Sequence, residues 1–154
     1  MNKLKLEKIL LTATEICTQA GTKLTDKRKQ LLTHLLQAKL PQSAYELTET
    51  YNAQTHHTMP AMSVYRILDF LESMDLVHKL ASANKYVACS HINCCDSHTL
   101  QQFVICNQCH TVKEILIPQD VIDQLKQQVS KAKYQLTNAP LELNCICEKC
   151  LKNN

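Results

Sequence analysis

Apolar positions along this chain follow two periodicities, and the change from one to the other divides it. In the first part they recur every three to four residues, the mark of helices with one buried face. Leu6, Leu10, Ala13, Cys17 and Ala20 form the first such stripe, which Gly21 ends. A second helix, with Thr25 as its N-cap, carries Leu31, Leu32, Leu35 and Leu36. A third starts at Ser43, where Glu46 completes an S-x-x-E capping box, and buries Ala44, Leu47 and Tyr51. A fourth follows Pro60, with Val64, Ile67, Leu68 and Leu71 at i, i+3, i+4 and i+7. That stripe turns Tyr65, Arg66 and Asp69 away from the core.

The pattern then shortens. Val77–Leu80 and Lys85–Ala88 are extended runs around the polar turn 81–84, which predicts a β-hairpin. Residues 90–99 form a Cys/His-rich loop. Runs 100–106 and 111–117 predict strands joined through a tight knuckle. Pro118 opens a helix with Asp120 and Asp123 early, Lys131 and Lys133 late, and an apolar face of Val121, Ile122, Leu125 and Val129. Residues 134–145 read as one more strand. The fold class is α+β: an N-terminal winged helix-turn-helix DNA-binding domain over 1–83, a hinge and metal-binding loop over 84–99, and a small C-terminal α/β domain over 100–154.

Composition narrows the function. A single glycine among 154 residues excludes the Gly-rich phosphate loops of NTPases and dinucleotide enzymes. There is no Trp and aromatics are few, so a small domain has reason to use a metal as a staple. Glu7 and Glu15 interrupt the first apolar patch, which makes it a helix and not a signal peptide. No stretch approaches a membrane span. The expected compartment is the reducing cytoplasm, where free thiols persist.

Nine cysteines, an odd number, argue against a disulfide framework. Two Cys-x-x-Cys pairs, Cys106/Cys109 and Cys147/Cys150, carry the strongest chemical signal. Each tight turn can present two thiolates to one ion, and two turns make a closed four-thiolate site, the ligand set of structural zinc. Cys145 competes with Cys147 for the fourth place. Net charge is only +3, but Lys23, Lys27, Arg28 and Lys29 crowd one helix start. The helix dipole disfavours cations there, and a DNA phosphate would relieve the conflict.

Residues 62–80, MSVYRILDFLESMDLVHKL, resemble the recognition helix and wing of the ferric uptake regulator family. Residues 84–89 (NKYVAC) and 103–114 (FVICNQCHTVKE) resemble its zinc uptake regulator branch, and LTDKR at 24–28 and SAYEL at 43–47 fit the same pattern. The resemblance covers nearly the whole chain in order. It departs at Asp26, where the family usually has Pro, and at His110, where it usually has Gly. The resemblance implies a dimeric, metal-dependent repressor that is not an enzyme, has no small-molecule substrate and makes no membrane contact. It further implies that such a repressor binds pseudo-palindromic operator DNA of zinc-uptake genes. By matching positions, a second, regulatory zinc would be held by His78, Cys89, His98 and Glu114, giving two zinc ions per chain. One thiolate and two imidazoles suit zinc over harder ions. His91, Cys94 and Cys95 are rivals within this set. On the DNA, Arg66 is expected at a guanine edge, with Tyr65, Tyr45 and Ser63 beside it, and the basic cluster on phosphate. Three other readings stay open at this point: a redox- or other-metal-sensing regulator of the same family, a zinc-binding adaptor with no DNA role, and a thiol oxidoreductase.

Overall fold

The computed structural model describes residues 2–55, 58–92, 102–137 and 140–152. The chain divides into two compact units, Met1–Cys95 and Asp96–Asn154. Among the described residues no helix is long and apolar enough to cross a membrane.

The first unit holds helices α1 (Lys3–Gln19), α2 (Asp26–Gln37), α3 (Ala44–Gln54) and α4 (Ala61–Ser73), then strands β1 (Val77–Leu80) and β2 (Lys85–Ala88). α1 buries Ile9, Leu10, Ala13 and Cys17. Gly21 follows with φ +69, the left-handed conformation that glycine takes without a Cβ penalty. Cys17 is fully buried, and burial pushes its thiol pKa up, so it behaves as a core side chain. At α2, Thr25 holds the N-cap position without a side-chain cap bond. Asp26 supplies the first turn with a carboxylate, which suits the helix dipole. The capping box at α3 is complete. Ser43 N–H donates to Glu46 Oε2 at 2.6 Å, and Glu46 N–H donates to Ser43 Oγ at 3.2 Å.

α3 and α4 make the helix-turn-helix. Asn52 clamps the approach to α4 by two bonds, donating from Nδ2 to the Met59 carbonyl (3.1 Å) and accepting from Met59 N–H (2.7 Å). α4 then buries Val64, Leu68 and Leu71 completely. Each such burial contributes about 2 kcal/mol.

β1 and β2 pair antiparallel in the register His78↔Val87, and Asn84 closes their turn at φ +49. This is the wing. Residues 84–88, grouped with the hinge in the expected domain division, are thus its turn and second strand. Tyr86 extends the pairing with two backbone bonds to Gln42, and Lys85 Nζ reaches Glu46 Oε1 at 2.9 Å. The wing is fixed to the start of α3 at two points.

The second unit holds β3 (Gln102–Cys106), β4 (Val112–Ile115), α5 (Gln119–Lys131), β5 (Leu141–Cys145) and α6 (Glu148–Lys152). The sheet order is β4-β3-β5, with β4 antiparallel and β5 parallel to the central strand. Two sequence expectations change here. The strand expected over 134–145 is confined to Leu141–Cys145, since β3 offers a ladder of only five residues. The apolar face of α5 is mostly uncovered: Ile122 is buried, but Val121 and Leu125 are exposed.

Candidate metal centre and nucleic-acid interface

The clearest cluster lies where β3 ends and β5 leads into α6. Cys106, Cys109, Cys147 and Cys150 place their sulfurs within 4.8 Å of one another. Cys109 Sγ and Cys147 Sγ are 3.7 Å apart. Thiolates ~2.3 Å from a tetrahedral zinc stand about 3.8 Å apart, so the donor set fits that ion. The parallel register Cys106↔Cys145 brings the second knuckle to the first. Cys145 ends the strand, and its thiol faces the Leu143 carbonyl at 3.4 Å. Cys147 takes the fourth place in the cluster, and its N–H donates to Cys106 Sγ at 3.3 Å. His110 follows the first knuckle at φ +57, the left-handed conformation that non-glycine residues seldom take.

The four sulfurs differ electrostatically. Backbone N–H groups of Cys109 and Cys147 hold the Cys106 thiol down at about 6. The Thr111 hydroxyl and N–H lower Cys109. Cys150 is pushed up to about 12, chiefly by the neighbouring Cys147 sulfur and by burial. Four adjacent thiolates repel one another and need a cation, so loading the site releases protons.

A second pair of donors lies on the wing. His78 on β1 faces Val87 across the ladder, and Cys89 lies two residues beyond Val87. Both side chains therefore stand on one face of the ribbon. They are buried, and their donor atoms lie within 4.8 Å of each other. His91 N–H donates to Cys89 Sγ at 3.4 Å, while its ring meets Ser90 Oγ. In the second unit Glu114 is half-buried on β4, opposite Phe103. His98, Cys94 and Cys95 lie outside the described residues.

The expected DNA residues divide. On α4, Arg66 is exposed, and Tyr65 and Ser63 are half-buried. Tyr45, at the start of α3, meets the Tyr65 ring edge-to-face at 6.2 Å, which aligns the two tyrosines. Lys23, Lys27 and Lys29 are exposed. Arg28, expected on phosphate with them, is half-buried and makes contacts within the chain. Its guanidinium lies 3.4 Å over the Phe70 ring and donates to the Lys23 carbonyl at 2.6 Å. The Lys23 carbonyl, which also accepts from the Thr25 N–H, and the Phe70 face together hold the guanidinium, so Arg28 ties α2 to α4. Asn52, which fixes the entry to α4, carries no sequence signal that would have singled it out.

A helix-turn-helix with a pinned wing, followed along the chain by a sheet unit closed by four cysteines, defines a winged-helix regulator with a metal-binding module. The chain belongs to the ferric uptake regulator family, whose pattern matches residues 19–144. It is 32% identical over 152 residues to the zinc uptake regulation proteins of Escherichia coli (strain K12) and Shigella flexneri, which spans 99% of this chain and 86% of each relative. Among solved structures, a zinc uptake regulator complexed with zinc and DNA matches with a TM-score of 0.81 at 27% identity, over 96% of both chains. Holo XcZur matches with a TM-score of 0.76 at 32% identity, over 94% of this chain and 98% of that one.

Proposed function

We propose that this protein is a zinc-responsive transcriptional repressor, a regulator and not an enzyme, acting as a homodimer in the reducing cytoplasm. The observation that carries this reading is the position of His78 and Cys89. A buried imidazole and thiol share one face of the wing, in the same unit as the outward-facing Arg66. Metal ligands on the wing connect metal supply to the element that stands beside the recognition helix.

Two zinc ions per chain are assigned. Cys106, Cys109, Cys147 and Cys150 hold a structural ion, which neutralises their thiolates and pins the second knuckle to β3. His78, Cys89, His98 and Glu114 hold the regulatory one. His78 and Cys89 contribute two donors from one face of the ribbon. The occupied state is the one that fits two half-sites of a pseudo-palindromic operator. Affinity without metal falls by the fraction of chains in that state. A coupling of ~3 kcal/mol corresponds to about 100-fold in affinity.

On the DNA, Arg66 grips a guanine edge bidentately, with Tyr65, Tyr45 and Ser63 alongside. Lys23, Lys27 and Lys29 position the unit on phosphate. The exposed apolar face of α5, with Val121 and Leu125, is the surface assigned to the partner protomer.

Zinc per chain, measured on purified protein before and after a moderate chelator with the dimer state recorded alongside, tests the assignment. Two ions falling to one, with the dimer intact and DNA binding lost, is the expected result. A single ion that never exchanges, with no second uptake on titration, would leave a zinc-stapled DNA-binding protein without zinc sensing.

A further inference from the structure

The outward side of α4 carries a residue that the regulatory reading leaves unused. Met62 lies in the first turn and is 65% exposed. Helical spacing puts it beside Tyr65, three residues on, and Arg66, four residues on. Tyr65 in turn meets Tyr45, itself 64% exposed. A lone exposed apolar side chain on a surface calls for no explanation. Met62, however, stands at the end of the helix that enters the major groove in helix-turn-helix proteins, on the side that holds Arg66.

The groove offers little that a methionine could use. Its base edges display hydrogen-bond donors and acceptors, and one apolar feature, the C5-methyl group of thymine. A thioether is at best a weak acceptor, so its gain at a base edge comes from that methyl. Its unbranched, polarizable chain can settle against a small apolar group without strain. Further along the same stripe comes Asp69, also exposed. A carboxylate is repelled by phosphate, which concentrates base contacts at the Met62–Arg66 end of the helix.

We propose that Met62 is a specificity-determining residue that reads the methyl group of a thymine close to the base pair gripped by Arg66. The inference rests on the DNA-binding reading above. Its test uses full-length, zinc-loaded protein to select duplexes from a random library. Each thymine of the selected site is then replaced by deoxyuridine, which removes only the methyl. One position per half-site, within a base pair or two of the guanine that Arg66→Ala ceases to require, should lose about 4-fold in affinity on replacement, the equivalent of one buried methyl. Met62→Ala should bind the thymine and uracil forms equally there and keep the wild-type response elsewhere. Met62→Leu should retain the methyl dependence. Met62 is exposed, so neither change disturbs the core. A uracil profile unaltered by Met62→Ala, or a site with no methyl dependence near the guanine, would overturn the proposal. Failure of the wild-type protein to enrich any sequence would overturn the DNA-binding reading and this inference together.

Discussion

Arg28 and Glu46 show how a charged side chain can serve architecture on a surface built for recognition. Arg28 spends its guanidinium on Phe70 and the Lys23 carbonyl. Arg28→Ala should therefore lower stability by about 1 kcal/mol in urea unfolding and leave the salt dependence of DNA binding unchanged. Lys27→Ala should leave stability alone, weaken all sequences alike and reduce the salt slope by about one. Equal slopes for the two variants would refute this division. Glu46 bonds the Ser43 N–H and Lys85, which lower its pKa from 4.5 to about 2. A depressed carboxylate stabilises the fold above its ordinary pKa, and the contribution is lost as pH falls through the folded value. Both partners of the pair are partly exposed, so the effect is modest. Glu46→Gln should cost on the order of 1 kcal/mol at neutral pH, and the gap to wild type should close between pH 4.5 and about 2. A gap that persists at the acid end would assign the effect to packing.

Among the elements, the knuckles and α5 carry the sharpest expectations. Cys147→Ser should abolish retention of the structural zinc, whereas Cys145→Ser should keep it, as read by metal content after gel filtration. The reverse result would mean that the second knuckle slips by two residues. Replacing Val121 and Leu125 together with lysine should dissociate the dimer in sedimentation, because the apolar face of α5 leaves both exposed within one chain. Much of this was legible in the sequence. The stripe on α4, the capping box at Ser43 and both wing strands follow from local periodicity and turn chemistry, and each was found at the residues expected. The four-cysteine cluster was legible because spacing alone brings thiols together in pairs. What was not legible depends on distant partners. Strand-like residues at 134–137 find no ladder, since β3 pairs only from Leu141. Arg28 looked like its lysine neighbours, and nothing local announced Phe70. The short helix α6 was too brief to show a period.

At the scale of the molecule, two units with separate interiors sit on one chain. The first has a core drawn from four helices and the wing, while the second is a three-stranded sheet with few buried side chains. Unfolding should therefore not be two-state. With a strong chelator under denaturing conditions, the second unit should melt first and the first unit should keep its helical circular dichroism. A single transition insensitive to zinc would contradict that independence. The parallel pairing of β3 with β5 also has a consequence in time. Gln102 waits for Leu141, 39 residues further on, before the bond between them can form. At ~5–20 residues per second, a ribosome needs roughly two to nine seconds to pass from Cys106 to Cys150. The first knuckle is thus made before the pair of sulfurs that completes its site. Closing the four-thiolate cluster is the last thing the chain can do, so a molecule stopped short of Cys147 could fold its winged unit and never lock its metal.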